Sequence, residues 1–358
     1  MALIDPIVLK NTVIYSSVIA LLSLGITLIY LTTKVFNFAH ARIALVGAYA
    51  SATVIGILIT RMGIEYSFEP IELLGLEILV PYPVYVYIAG LIAGVLAATA
   101  TTLFEYYVIL RPLLRRGADF LMLMIATLAY DFLLLAVLVL YNTHMEVKPL
   151  LDNIALSSTS MDMSSYDFKV EGFRGMFIFS LAASILIAVG LYILLFKTLI
   201  GVKMRAAIEN PSLASVLGIN VEAIYALAWI IGGATAGVAG FIMLFAADTA
   251  PLKPISATSP ADEIVVSAFA GSVVGGITNV FGGIAGGFLI GVIEVYAAYL
   301  IQQLTGFGAI IKYNKALSML AVGVTLLFFP EGLAGLVSRR GRLLGLLSAL
   351  KVRGGRSG

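Results

Sequence analysis

The chain has no cysteine and only two histidines, His40 and His144, in 358 residues. Disulfides, thiolate nucleophiles and Cys-based metal sites are therefore excluded, and the histidines lie too far apart to form a local metal motif. Charge is scarce too, at 12% of residues against about 25% in a soluble domain. The dipeptide Gly-Lys does not occur, which removes the Walker A phosphate loop. There is no His-Glu-x-x-His motif and no serine-hydrolase elbow. A row of basic gating residues and a Thr-Val-Gly-Tyr-Gly filter are missing as well. The chain is thus expected to hydrolyse no ATP, to have no catalytic residues and to need no cofactor or metal. Its N-terminus has no basic stretch followed by a small-residue cleavage site, so residues 13–31 read as a retained first span.

Apolar sequence is what remains: 61% of residues are hydrophobic and the mean hydropathy is +1.05. The apolar runs are continuous and about 20 residues long, the length of a membrane-spanning helix. Barrel strands would instead alternate over short segments. In lipid, backbone groups must be satisfied internally, so an all-α polytopic bundle is expected, with membrane lipid as its first partner. Net charge is +2 and no nucleic-acid partner is expected.

Spans fall near 12–31, 38–60, 84–110, 119–141, 175–196, 223–247, 264–281, 282–304 and 314–330. Glycines interrupt the 264–304 pair, which is either two short spans or one span preceded by a re-entrant segment, for eight to nine helices in all. Orientation follows the clusters of Lys and Arg. Assigning to the cytoplasm Lys34, Arg42, Arg111, Arg115, Arg116, Lys197, Lys203, Arg205 and the six basic residues after position 336 places 14 of the 22 there. The acidic 61–83 loop (Glu65, Glu69, Glu72, Glu77) and the long 142–174 loop go outside. The N-terminus is then outside and the C-terminus inside, with nine crossings on the simplest count. Residues 1–336 form one transmembrane domain. The tail, 337–358, mixes Arg with Leu343, Leu344, Leu346 and Leu347 as an interfacial helix does.

Glycine carries the packing signal. Gly233-xxx-Gly237, Ala236-xxx-Gly240, Gly282-xxx-Gly286, Gly283-xxx-Gly287 and Gly287-xxx-Gly291 place small residues four apart, which lets helix backbones approach closely. The glycine pairs flanking Asn279 suggest a broken helix. Few ionisable residues sit at membrane depth: Glu105, Asp131 and Glu294. Each would cost roughly 2.5–3.5 kcal/mol facing lipid, so each should face the bundle interior. Glu105, nearest the cytoplasmic end, is expected to pair with Arg111 or Arg115. Asn37 is placed to cap the second span, whose first turn holds His40 and Arg42; there the helix dipole disfavours a cation that lacks an acidic partner.

Between two apolar spans lies a polar linker, 197–222. Asn210 can cap a short helix, Pro211 suits its first position and Gly218 can end it in a left-handed turn. Leu213, Val216 and Leu217 then share a face. That is a surface fit to dock a partner.

Three regions resemble the permease subunits of branched-chain amino acid ABC importers. Phe36-Asn-Phe-Ala-His40 with Gly47-Ala-Tyr49 is similar to the family's Asn-Phe-Ala-His element. Arg205-Ala-Ala-Ile-Glu-Asn-Pro211 with Leu217-Gly-Ile-Asn220 resembles its cytoplasmic loop. Gly275-Gly-Ile277, Gly286-Gly-Phe-Leu-Ile-Gly-Val-Ile-Glu294 and Phe329-Pro-Glu-Gly332 resemble its C-terminal third. The chain departs from the pattern at Ala41-Arg42, where a small residue and Glu are usual, and at Thr278–Gly282. The resemblance implies a second permease subunit, two ATP-binding cassette ATPases and an extracytoplasmic substrate-binding protein. It implies inward movement of branched-chain or other hydrophobic amino acids; urea, short amides or another amino-acid class is the alternative, and a stand-alone carrier would instead have to couple ions through Asp131 and Glu294. Arg205, Glu209, Asn210, Pro211 and Gly218 would couple to the ATPase, and Asn37, His40, Asn279 and Glu294 are candidates for the translocation path.

Overall fold

A computed structural model describes residues 5–64, 69–73, 76–144, 163–170, 173–246, 261–306, 313–329 and 331–335. Most of the 142–174 loop, Pro330 and the basic tail lie outside these residues. Helix α1 spans Pro6–Thr33, with Asp5 accepting the Ile7 N–H at its start and Pro6 in its first turn. Then come α2 (His40–Met62) and α3 (Val84–Phe104), which runs on through a π-helical stretch (Glu105–Leu110) and a last turn (Arg111–Arg115). Helices α4 (Phe120–His144) and α5 (Gly175–Lys197) follow. The linker forms α6 (Leu199–Glu209) and α7 (Pro211–Val216). Helix α8 covers Val221–Phe245 and α9 Ala261–Gly275. Helix α10 (Val280–Val292) extends through a π stretch (Ile293–Ala297) to Thr305, and α11 is Asn314–Phe328.

Eight helices among the described residues are long and apolar enough to cross a membrane. The ninth expected span is the short α9. At 15 residues it extends about 22 Å, less than the hydrocarbon thickness of about 30 Å. It forms a hairpin with α10 through a turn at 276–279, where Gly276 takes φ +102. The broken segment therefore resolves as one short helix and one full span. A second difference lies in the 61–83 segment, which was expected to be loop. Strands β1 (Glu69–Leu73) and β2 (Leu76–Val80) form a hairpin there, extended by β3 (Lys169–Val170) and β4 (Phe173–Arg174) into one antiparallel sheet in the order β1-β2-β3-β4. In the register Ile71 stands opposite Ile78 and Glu72 opposite Glu77. The sheet lies at the C-terminal end of α8, where Arg174 Nη2 donates to the Phe245 carbonyl at 2.8 Å.

Helix α1 is the axis of the bundle, buried over nearly its whole length. Lipid gives helices no hydrophobic reason to associate, so close backbone approach must hold them. The glycine rows provide it, with a division of labour. On α10, Gly283, Gly287 and Gly291 lie against Thr27, Ala20 and Ser16 of α1, while Gly282 and Gly286 lie against Gly275 and Gly271 of α9. On α8, Gly233 and Gly237 meet Thr99 and Val95 of α3, Gly232 meets Ile29 of α1, and Gly240 meets Ala44 of α2. Hydroxyls stitch the same seams: Ser23 Oγ donates to the Ala268 carbonyl at 2.8 Å, and Thr27 and Ser272 share a hydrogen bond of 2.7 Å.

A methyl group at Gly287 would sit 2.7 Å from Ala20 Cα and 2.8 Å from the Ile19 carbonyl, atoms that cannot move without parting the helices. Gly287→Ala is predicted to destabilise the protein by about 1–3 kcal/mol, as overpacking does. Gly190 on α5 has open space around it, and Gly190→Ala should be neutral or slightly stabilising. Thermal unfolding of the two variants in the same detergent checks the contrast.

Candidate functional site

The chain turns back on itself inside the bundle between α1 and α2. Helix α1 ends at Lys34 in the left-handed conformation (φ 58), and residues 35–39 are non-helical. His40 then starts α2 alongside Gly25, well before the end of α1, so this irregular backbone lies within the helical bundle. Such backbone survives in a membrane only where protein satisfies it. Thr127 of α4 does so, its hydroxyl donating to the Phe36 carbonyl (3.1 Å) and accepting the Phe38 N–H (3.3 Å). Asn37 does not cap α2, whose N-cap is Ala39 without a side-chain bond; its Oδ1 instead accepts the Ala39 N–H at 2.9 Å within the turn.

Two acidic groups converge on this turn. Glu105 is fully buried in the π-helical stretch of α3 and accepts from Asn37 Nδ2 at 2.7 Å. Its expected pairing with Arg111 or Arg115 does not form. Both arginines bind Glu222 at the start of α8, Arg115 at 3.1 Å. The reason is reach: the two arginines lie a turn or more past Glu105, next to the start of α8. Arg42 does find acidic partners. It makes a side-on pair with Asp131 near the middle of α4, Nε to Oδ1 and Nη2 to Oδ2 each at 3.1 Å, and Nη2 also reaches Asp262 Oδ1 at 2.5 Å. With 1% exposure it belongs to the interior, and its expected place among the cytoplasmic surface charges is corrected. His40 is fully buried beside Gly25, and neither of its ring nitrogens has a hydrogen-bond partner among the described residues.

A second polar cluster surrounds Glu294 in the π stretch of α10. Its Oε1 accepts from Ser267 Oγ (2.7 Å) and from the Ser318 hydroxyl; its Oε2 accepts from Tyr15 Oη (2.5 Å) and Lys315 Nζ (2.7 Å). Lys315 Nζ also donates to Tyr15 Oη (2.8 Å) and Ser267 Oγ (2.6 Å). Four helices, α1, α9, α10 and α11, meet in this network. Lys315 was missed at the sequence level because it opens an apolar span, where a cation reads as an interfacial flank. Asn279 is elsewhere: exposed at the hairpin turn, it caps α10 by accepting the Phe281 and Gly282 N–H groups (2.9 and 3.1 Å). The structure thus places Asn37 and His40 together, and Glu294 and Asn279 apart from them and from each other.

The linker has the anticipated form. Asn210 Oδ1 accepts the Leu213 N–H at 3.0 Å, Pro211 opens α7, and Gly218 takes φ +79. Arg205, Glu209, Asn210, Pro211 and Gly218 are all exposed, and Arg205 lies over the Phe196 ring at 5.0 Å. Ala214, Met204 and Ala207 anchor the linker to the core beside Leu24, Leu28 and Leu31 of α1. Leu213, Val216 and Leu217 stay 56%, 83% and 71% exposed. Among the described residues no group of three or more His, Asp or Glu is arranged to hold a metal.

Removing one member of a buried ion pair strands the other charge. Lys315→Met is predicted to cost about 3–5 kcal/mol, and Glu294→Gln with Lys315→Met to recover most of it. Chemical unfolding of the single and double variants reads this directly.

A family model described as branched-chain amino acid transport system / permease component matches residues 8–330. The "Probable branched-chain amino acid transport permease protein LivH" of Methanocaldococcus jannaschii is 34% identical, over 92% of this chain and 93% of its own length. The "High-affinity branched-chain amino acid transport system permease protein LivH" of Salmonella typhimurium is 28% identical, over 91% and 94%, and BraD of Pseudomonas aeruginosa, with the same description, is 27% identical over 91% and 94%. Among solved structures, "PsaBC from Streptococcus pneumoniae in complex with Fab" covers 90% of this chain and 92% of its own at 10% identity and a TM-score of 0.45. With the family model spanning all but the ends of this multi-pass chain and a 34% identical relative aligned over nearly its whole length, the chain belongs to the branched-chain amino acid transport permease family.

Proposed function

We propose that this chain is the membrane-spanning permease subunit of an ATP-driven importer that moves branched-chain or other hydrophobic amino acids into the cell. The observation that carries the reading is α7, a helix capped at both ends whose apolar residues are turned to solvent. In a chain without a phosphate loop, that surface supports docking to a separate ATPase. Asn210 and Pro211 fix the start of α7, and Gly218 fixes its end. The linker is braced against the bundle at two points, through Met204 and Ala207 beside α1 and through Glu222 between Arg111 and Arg115. A push on α7 is thereby delivered to α1 and α8.

The carboxylates that a stand-alone carrier would use to couple ions are engaged: Asp131 by Arg42, and Glu294 by Lys315. This favours ATP as the energy source. The basic residues Arg111, Arg115, Lys197 and Lys203 sit at the linker end, whereas Glu72 and Glu77 sit on the sheet at the other end. By the positive-inside rule the linker is cytoplasmic and the N-terminus outside; the turn after the short α9 lies at the linker end, with Phe281 beside Phe196 and Gly276 against Glu331, so the C-terminus is inside. The assembly would comprise this chain, a second permease subunit, two ATPases and an external binding protein.

Val216→Glu puts a charge on the exposed face without touching the core, and Gly218→Val strains a backbone at φ +79. Both are predicted to abolish co-purification with the ATPases and ATP-dependent uptake, while membrane insertion is unchanged. Association and uptake at wild-type levels in both variants would overturn the coupling assignment.

A further inference from the structure

Helix α9 brings an exposed acidic residue to the edge of the buried Arg42–Asp131 pair. Asp262 lies in its first turn and faces Arg42, whose other carboxylate partner, Asp131, is near mid-span on α4. Asp131 holds Arg42 through two hydrogen bonds and is nearly buried, whereas Asp262 receives one and its side chain is 68% exposed. The carboxylate is thus held in place by Arg42 and still open to a second cation.

The surface beside it is apolar. Val266 and Phe269 follow Asp262 at helical spacing (i, i+4, i+7) and are half-buried, so they continue the same face of α9. Phe269 meets two rings of the α1–α2 turn, Phe38 with centroids 5.0 Å apart and Phe36 at 5.6 Å, both also half-buried. A carboxylate at one end of an aromatic and aliphatic strip matches a small molecule with an ammonium group beside an apolar side chain.

The geometry points to this strip as a cargo subsite on the translocation path: Asp262 binds the cargo's α-ammonium, and Val266, Phe269, Phe38 and Phe36 receive its side chain. The inference rests on the importer reading and gives that reading a place of recognition. Arg42 is the positioning residue. Its fork holds Asp262 toward the strip, and its pairing with Asp131 prevents it from neutralising Asp262 alone. A hydrophobic amino acid is thereby distinguished from an equally apolar acid that lacks the amine.

The chain's lack of cysteine allows a direct test. Val266→Cys in the assembled transporter is labelled with a water-soluble methanethiosulfonate reagent, and labelling is followed on this chain. Leucine should slow labelling several-fold, and its 2-keto analogue should not. Adding Asp262→Asn should abolish protection by leucine, and Asp262→Glu should retain it; co-purification of the ATPases with each variant confirms folding. Equal protection by the keto acid, protection that survives Asp262→Asn, or an introduced thiol that the reagent never reaches would each overturn the subsite. Leucine uptake by wild-type vesicles is read in parallel. Uptake without Asp262-dependent protection overturns this inference alone, and absence of uptake overturns the importer reading with it.

Discussion

The close contact of α10 with α1 is the constraint on which the rest of the structure depends. Because Gly283, Gly287 and Gly291 present only backbone, α10 can lie against Ser16, Ala20 and Thr27 of α1. The same helix turns its other glycines toward α9, so α9 is held in a hairpin although it is too short to span alone. That hairpin sets Ser267 and Glu294 beside Tyr15 and Lys315, and it sets Asp262 beside Arg42. Both interior charge clusters therefore follow from a packing motif that carries no charge.

Burial inside lipid leaves little tolerance for unpaired charge, and the protein meets this in two ways. Around Glu294 the pairing is complete and links four helices, as a structural lock would. Around Arg42 one of the two carboxylates, Asp262, is exposed. The contrast separates a cluster that fixes the bundle from one with capacity for a visitor. Both π-helical stretches, at Glu105 and at Glu294, coincide with these interior acids, consistent with the tendency of such bulges to occur at functional positions.

Much of this was legible in the sequence. Continuous apolar runs predicted the spans, since lipid leaves a helix no alternative, and the i, i+4 glycines predicted close packing because their spacing is local. The cap at Asn210 and the turn at Gly218 were readable for the same reason. The charge partners were less accessible. Arg42 lies 89 residues from Asp131 and 220 from Asp262, separations at which pattern says nothing about contact. Glu105 was assigned to the nearer arginines, yet the re-entry of residues 35–39 brings Asn37 to it instead. The hairpin β1–β2 was overlooked because four acidic residues in a short segment read as loop, and Leu76-Glu-Ile-Leu-Val80 shows no clean apolar–polar alternation to mark a strand.

The most direct test of the central claim is uptake by proteoliposomes containing this chain with its permease partner, binding protein and ATPases, ATP being supplied on the linker side. The account predicts that radiolabelled leucine, isoleucine or valine accumulates only when the ATPases and hydrolysable ATP are both present. Accumulation driven by a proton gradient in vesicles that lack the ATPases would contradict it.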